Sequence, residues 1–387
     1  MTTVTPELRD EPTDDDLTTE LAMLREATRA YIARELPLRA LRPLLDDPVG
    51  HDPAWHRRAA AQGWFASFDP AGELDGHAVQ VACVLAEELG RAMQPGPFLP
   101  VNLVIAAVAR WGNDEQRSAV LPGLVAGELV ATWADTVTTG RRERPAVVAR
   151  TVGDELVVDG EVPLVQDALQ ADWFLVSALV DGRPNMLLVP KDTVGLMVEA
   201  RTSFDLLRRL SVVTFGGARL PTSAHLGAPA PPSDAPNHLL DLAIVLQSAE
   251  TLGVIGALLD MTVEYAKNRI AFGRPIGSFQ ALKHIMADLA LYLETARAGV
   301  LAAAQLLDGG ESEGTEAASI VKAYVSDVAI DVAQESLQIH GGIGYTWEHD
   351  LHLYLRRVSG NAALHGTAGW HRERLCRLRS ITEKGDA

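Results

Sequence analysis

Two segments decide how this chain is interpreted: residues 269–280, which read Arg-Ile-Ala-Phe-Gly-Arg-Pro-Ile-Gly-Ser-Phe-Gln, and residues 338–350, which read Gln-Ile-His-Gly-Gly-Ile-Gly-Tyr-Thr-Trp-Glu-His-Asp. Each joins a helical pattern to a turn that contains glycine, and each carries planar hydrogen-bonding side chains at that junction. A single string of this kind is typical of a structural helix end. Two of them in this order point to a binding role.

A dinucleotide is a ligand that these side chains suit. The guanidinium fork of Arg269 can pair with two phosphate oxygens. Gly341 and Gly342 have no Cβ, so backbone N–H groups can approach a phosphate closely there. The ring of Phe272 offers a flat face, and the amide of Gln280 both donates and accepts hydrogen bonds.

The two segments resemble the flavin-binding half of the acyl-CoA dehydrogenase family, and the resemblance covers nearly the whole chain from Leu17 on. It implies FAD as the cofactor, an acyl-CoA thioester as the substrate and an electron-transferring flavoprotein as the electron acceptor. It also implies that the first segment contacts the flavin of a neighbouring subunit, whereas the second meets the adenine and pyrophosphate. The candidate cofactor-binding residues are Arg269, Phe272, Gln280, Gln338, Gly341, Gly342, Thr367 and Trp133.

Two of these candidates lie outside the two segments. Thr367 matches a threonine that follows the family's catalytic glutamate by two positions and hydrogen-bonds the adenosine diphosphate part. Trp133 lies in residues 131–136, which stand where the family has a Thr-Glu-Pro-Gly-type loop, and residues 163–167 stand where it has a Trp-x-Thr element. Both stretches depart from the family's pattern, so Trp133 is either a flavin neighbour or a core residue.

The pattern of apolar residues changes twice along the chain. Apolar residues recur at helical spacing up to about Gly127, short strand-like runs follow from about Leu129, and long helical patterns return from about Asn237. Gly90 stands where a helix C-cap is expected. We predict an α+β fold with a flexible tail (1–16), an N-terminal helical domain (17–128), a central β-barrel or β-sandwich domain (129–232) and a C-terminal four-helix bundle (233–387).

Composition excludes several classes of function. The net charge of −17 over 387 residues disfavours nucleic-acid or anionic-membrane binding, which needs clustered Lys and Arg. Two cysteines without a CxxC pair disfavour a disulfide framework or a zinc site. The polar first twenty residues argue against a signal peptide, and no membrane span is expected. We therefore expect a soluble cytoplasmic protein that binds no metal.

The family's catalytic glutamate is missing from both positions where the family can hold it. One of these positions is His365 here and the other is Ala243. Asp241 lies about 200° around the helix from Ala243, and Glu250 lies about 10 Å further along it, so neither should replace the base. Glu250 is expected on the helix surface or in packing. His365 is the remaining candidate for the catalytic proton acceptor, because imidazole titrates near neutrality.

Three functions remain open from the sequence. In the first, the chain is one subunit of a heteromeric acyl-CoA dehydrogenase, like those that act on steroid side chains, a heterotetramer in which a homologous partner supplies the glutamate. Alternatively, it is a self-sufficient homo-oligomeric enzyme that uses His365 or another base on an acyl-CoA or carrier-bound acyl group. In the third case it is a non-catalytic relative that binds acyl-CoA or serves as a scaffold.

Overall fold

The structure is a computed structural model that describes residues 14–50, 52–72, 76–136, 146–227 and 234–380. Along these residues helices come first, strands second and helices third, which confirms the predicted α+β class. Most of the predicted flexible tail lies outside the described residues. Two hydrophobic cores hold the fold together, one among the helices and one inside the strand region.

Two helices of the N-terminal region, residues 78–91 and 98–111, are buried on nearly all of their faces, as expected of apolar helices inside a core. The last helix of the region starts with a capping box, in which the side chain of Asn113 accepts from the backbone N–H of Gln116 at 2.8 Å. The helices are α1 (Asp14–Glu35), α2 (Pro53–Ala60), α3 (Ala78–Arg91), α4 (Phe98–Trp111) and α5 (Asp114–Val125), with a short 3-10 helix at Leu38–Leu44.

The central region forms a seven-stranded mixed sheet in the order β1-β4-β2-β3-β7-β6, with β5 paired to β4. β4 runs parallel to β1 and β2, and the other pairs are antiparallel. The strands are β1 (Ala131–Ala134), β2 (Val147–Val152), β3 (Glu155–Gln166), β4 (Trp173–Val180), β5 (Arg183–Pro190), β6 (Leu196–Arg201) and β7 (Leu210–Pro221).

The C-terminal region packs three long helices with two shorter ones among the described residues. The first long helix is apolar and long enough to cross a membrane by composition, but 89% of its most apolar window is buried inside the fold. It is therefore the core helix. The helices are α6 (Ala235–Asn268), α7 (Gln280–Asp308), α8 (Gly314–His340), α9 (Leu351–Ala363) and α10 (Ala368–Leu378).

Helices α3 and α6 cross at very short distance through two glycines. A Cβ on Gly90 would lie 2.0 Å from the carbonyl oxygen of Glu250, and one on Gly253 would lie 1.8 Å from that of Glu87. Gly90 lies inside α3 and is not its C-cap, which is Ala92, so that expectation was wrong. The glycine is needed because two helix backbones touch there.

Candidate functional site

Residues 269–280 and 338–350 lie side by side at one end of the helical bundle. The ring of Tyr265 on α6 stacks on that of His340 on α8, with centroids 4.4 Å apart. The Tyr265 hydroxyl also donates to the backbone oxygen of His340 at 3.2 Å. Arg269 directly follows α6 and Gly341 directly follows α8, so this contact brings both segments together.

The candidate side chains at this end are open to solvent. Phe272 is 94% exposed, and Arg269, Gln280, Gln338 and Gly342 are also exposed. The turn that carries Phe272 is a small hairpin, in which this residue has a left-handed φ of 52°. We call the surface formed by Arg269, Phe272, Gln280, Gln338, Gly341 and Gly342 the motif surface.

The two glycines of the motif surface differ in backbone conformation. Gly341 has φ 61° and ψ −141°, a conformation that essentially only glycine adopts. Gly342 has no left-handed φ, and a Cβ there would meet nothing within 4 Å. Glycine at position 342 therefore leaves a bare backbone facing solvent, which suits the close approach of a ligand or another chain.

The remaining candidates, Trp133, His365 and Thr367, lie far from the motif surface. The side chain of Thr367 caps α10 by accepting from the N–H of Trp370 at 3.3 Å. His371 on that helix contacts Ser319, near the start of α8. Since α8 rises 1.5 Å per residue, about 30 Å of helix separates Ser319 from the glycine turn at its other end.

Trp133 and His365 are buried against each other. Their rings lie almost parallel, at 12°, with centroids 6.2 Å apart. Trp133 is 7% exposed, and its Nε1 donates to Ser177 Oγ at 3.2 Å. His365 has a left-handed φ of 58°, and its Nδ1 is buried with no hydrogen-bond partner among the described residues. Trp133 is thus a core residue whose ring also faces His365, the predicted proton acceptor.

His365 is a weak base in this environment. Burial lowers its pKa, and the nearby charges of Lys322 and Arg208 lower it further, to about 3. Its backbone oxygen accepts from Nε2 of His371 at 2.9 Å, which fixes the turn. A proton acceptor works best with a pKa near the working pH. At pH 7 the imidazole of His365 is therefore neutral, and it is too weakly basic to be an effective proton acceptor.

The region around His365 contains almost no free space. One cavity of about 20 Å³ is enclosed by α4, β1, β3 and the 364–365 turn, and a neighbouring cavity of about 40 Å³ lies between α3, α4 and α6. Leu99 and Gln166 line both cavities. Sites for small organic ligands have volumes of about 300–1,000 Å³. This cleft therefore holds protein side chains and at most single water molecules.

A buried ion network fills the cleft next to these cavities. The carboxylate of Glu250 accepts from Arg208 Nη2 at 2.6 Å, from Arg357 Nη1 at 2.7 Å and from Asn361 Nδ2 at 3.1 Å. Burial alone would raise the pKa of Glu250, but the two guanidinium groups outweigh it and lower that pKa to about 2. Glu250 is therefore permanently charged and fully engaged, in the packing role that the sequence allowed.

The network extends to the C-terminal end of β3. Arg208 Nη1 donates to Gln166 Oε1 at 2.6 Å, so this strand end binds the ion network. Lys322 Nζ donates to Gln247 Oε1 at 2.6 Å, and burial together with the charge of Arg208 lowers the pKa of Lys322 to about 7. Sequence reasoning missed Arg208, Arg357 and Lys322, because nothing in their local sequence marks them as buried.

Asp241, two residues before Ala243, is also bound by other side chains. It forms an ion pair with Arg374 at 2.7 Å and accepts from Thr315 Oγ1 at 2.6 Å. Arg374 in turn donates to Ser319. Asp241 thus ties α6 to α8 and α10, and it faces away from Ala243, as its helical angle predicted. Ala243 itself is completely buried.

The residues present fit FAD in one place and not in another. The motif surface offers a guanidinium, two carboxamides and bare glycine backbone, the donors that phosphates and an adenine edge require. Among the described residues, the cleft between α4, the sheet and α6 has no room for an isoalloxazine ring beside Trp133 and His365. A flavin that uses the motif surface would need its ring cleft on another chain.

Comparison with known proteins identifies two matching family descriptions. Residues 18–128 match "Acyl-CoA dehydrogenase, N-terminal domain", and residues 238–378 match "Acyl-CoA dehydrogenase, C-terminal domain". The chain is 31% identical over 361 residues to the acyl-CoA dehydrogenase IpdE2 of Mycolicibacterium smegmatis, covering 93% of this chain and 97% of that protein.

Two of the solved structures with the same fold each carry the names of two proteins. A variant of the steroid ACAD Tcur3481-Tcur3483 superposes with a TM-score of 0.84 and 28% identity, over 94% of this chain and 99% of that one. A chain of the ChsE4-ChsE5 complex from Mycobacterium tuberculosis superposes with a TM-score of 0.86 and 24% identity, over 97% of this chain and all of that one (100%). The second likeness concerns the fold alone.

Proposed function

We infer, because this chain belongs to the acyl-CoA dehydrogenase family of FAD-dependent oxidoreductases, that it takes part in the α,β-dehydrogenation of an acyl-CoA thioester. We propose that it does so as one subunit of a heteromeric enzyme. It offers its motif surface to an FAD whose ring lies in a homologous partner chain, and the partner supplies the catalytic glutamate. FAD supplies the hydride acceptor of this reaction.

One observation carries the proposal: the motif surface is open, whereas the chain's own cleft is filled. Arg269, Gln280 and Gln338 are exposed, and their side chains form no hydrogen bond or ion pair with the described residues. About 30 Å further along the bundle, Arg208 and Glu250 occupy the space that a flavin ring and an acyl group would need. A chain built in this way can contribute to a cofactor site only when a second chain completes it.

The same cleft argues against a base in this chain. His365 is buried, stacked on Trp133 and poorly basic, and Ala243 has no ionisable group. Glu250 is paired with two guanidinium groups, which lower its pKa and make it a poor proton acceptor. The self-sufficient enzyme that uses His365 is therefore the weaker hypothesis.

The relatives favour the heteromeric proposal and suggest a substrate class. ChsE4 and ChsE5 were solved as a complex, and Tcur3481-Tcur3483 is a steroid ACAD. By analogy we propose a steroid-derived acyl-CoA as the substrate class. An electron-transferring flavoprotein is the acceptor we propose.

The test compares the full chain expressed alone with the chain co-expressed with a family member that carries glutamate at the position equivalent to His365 or Ala243. We expect little FAD on the chain alone, and about one FAD per pair of unlike chains in the complex. Only the complex should oxidise steroid acyl-CoA thioesters. Turnover by the chain alone would support the homo-oligomeric enzyme, and absence of FAD even in the complex would support a non-redox role.

Arg269 provides the matched test of the motif surface. Arg269→Ala should weaken FAD binding in the complex by about 10- to 100-fold, the range for a lost hydrogen bond to a charged group. Arg269→Lys should recover only part of this, because an ammonium cannot form the two-pronged contact. Arg377→Ala, an exposed arginine on α10, is the control and should leave FAD affinity unchanged.

A further inference from the structure

An arginine from the N-terminal region holds the loop that follows the motif glycines. Arg42 lies on the short 3-10 helix Leu38–Leu44. Its Nη1 donates to the backbone oxygen of Trp347 at 3.1 Å, and its Nη2 donates to that of Glu348 at 3.0 Å and to Asp350 Oδ1 at 2.6 Å. More than 300 residues of sequence separate the arginine from this loop.

The held loop is the direct continuation of the glycine turn. Residues 341–345 form a single 3-10 turn, and Thr346 closes it by donating from its N–H and Oγ1 to the backbone oxygen of Ile343, at 3.1 and 2.9 Å. On the other side, Tyr265 holds the backbone oxygen just before Gly341. The turn is thus fixed from both ends, by a tyrosine before it and by Arg42 after it.

The glycine turn needs such external support. Gly341 and Gly342 have no side chains, and a Cβ at either position would contact nothing within 4 Å. Their backbone therefore has few packing contacts of its own that could keep its N–H groups aimed in one direction. Glycine also has the largest conformational freedom to lose. The orientation of these two glycines therefore depends on the contacts of the residues around them.

We propose that Arg42 is a positioning residue for the cofactor: it fixes the Gly341–Gly342 backbone in the orientation that receives the FAD diphosphate. This inference rests on the function proposed above. The fork of Arg42 bonds two successive carbonyl oxygens and one carboxylate, a pattern that a lysine cannot reproduce. The ion pair with Asp350 is about one-third exposed on both sides, so it adds little to global stability. Arg42 therefore acts mainly on the conformation of the loop after Gly342.

The experiment measures FAD dissociation from the purified FAD-containing assembly of the full chain, followed by the rise in flavin fluorescence, together with thermal unfolding. Arg42→Ala should release FAD about tenfold faster. Arg42→Lys should release it faster than the unchanged protein even though it keeps the charge. Arg39→Ala removes an exposed arginine from the same short helix and should have no effect. Unfolding temperatures should stay within a few degrees for all three variants.

The outcomes separate this inference from the proposed function. If Arg269→Ala loses FAD while both Arg42 variants retain it as firmly as Arg39→Ala does, Arg42 is not a positioning residue. The inference is also overturned if the Arg42 variants lose FAD only because the assembly falls apart or unfolds. If Arg269→Ala itself keeps its FAD, the proposed role of the motif surface is wrong, whatever Arg42 does.

Discussion

At the scale of single residues, the basicity of His365 is determined by its surroundings. A histidine in an open site could take a proton from a substrate carbon, but this one is enclosed by Trp133, Leu364 and the β3 strand end. Burial and the positive charges of Lys322 and Arg208 all disfavour its protonated form. The same cations would stabilise an anion at this position and make it a weaker base.

This leads to a prediction for His365→Glu. A glutamate at this position should not give the isolated chain any dehydrogenase activity, because the new carboxylate would pair with the nearby cations and the cleft offers only about 20 Å³. The measurement is acyl-CoA-dependent reduction of an artificial electron acceptor. His365→Gln is the control for folding. Turnover in the glutamate variant would mean that the cleft opens and that loss of the base is the chain's main defect.

The sequence made some residues of the site predictable and hid others. Arg269, Gln280 and Gln338 stand in short motifs, so their types and spacing alone suggested a ligand. Glu250 and its partners gave no local signal, because Arg208 is 42 and Arg357 is 107 residues away from it along the chain. Only the fold brings them together. The assignment of the motif residues to FAD stays a prediction.

At the scale of secondary-structure elements, the α3–α6 crossing limits how far the cleft can open. Glu250 projects from α6 at the point where Gly90 lets the two helix backbones touch. Gly253, one turn further along, makes the same close approach to Glu87 of α3. Because both contacts are between backbones, they cannot relax by a change of side-chain rotamer. This crossing therefore holds the ion network in place.

We predict that Gly253→Ala destabilises the fold by at least about 1–3 kcal/mol, the usual cost of overpacking, because its Cβ would lie 1.8 Å from a backbone oxygen. Gly256→Ala on the same helix is the control. Its Cβ would lie 3.5 Å from the nearest atom, so it should be neutral or add up to about 1 kcal/mol through helix propensity. Urea unfolding measures both. Equal effects of the two substitutions would show that the crossing is looser than described.

Helical periodicity gave the elements of the C-terminal region with good accuracy. The predicted return of helices near Asn237 agrees with the start of α6 at Ala235, since long apolar patterns identify helices reliably. Strand pairing was not predictable in the same way. β4 pairs in parallel with β1 and β2, and no local pattern encodes which distant strand becomes a neighbour. The sequence therefore indicated strands but not their order.

At the scale of the whole molecule, the two ends of the helical bundle differ in exposure and in charge. One end presents the motif surface, and the other is sealed by buried charges and neutral histidines. Keeping ionisable groups inside a fold makes its stability depend on pH. Burial is the main cause that lowers the pKa values of His365 and His371 to about 3, compared with about 6.5 in an unfolded chain.

The sign of the pH effect follows from proton binding. Between pH 6.5 and 3 the unfolded chain binds protons on these histidines and the folded chain does not, so stability falls as the pH falls. Glu250, with its pKa lowered to about 2, adds a further loss below about pH 4.5. Asp167 has the opposite effect. Burial raises its pKa to about 6, so the folded state binds a proton before the unfolded chain does and gains stability as the pH falls below 6.

We therefore predict that stability falls between pH 7 and pH 5, by an amount on the order of a few kcal/mol, because the loss at two histidines exceeds the gain at Asp167. Urea unfolding at fixed temperature across this range measures it. His365→Gln cannot titrate, so it should show a clearly shallower decline than the unchanged chain. An equally steep decline in that variant would mean that His365 is protonated in the folded state, and its imidazole would then have to lie in a more open and polar cleft than the one described.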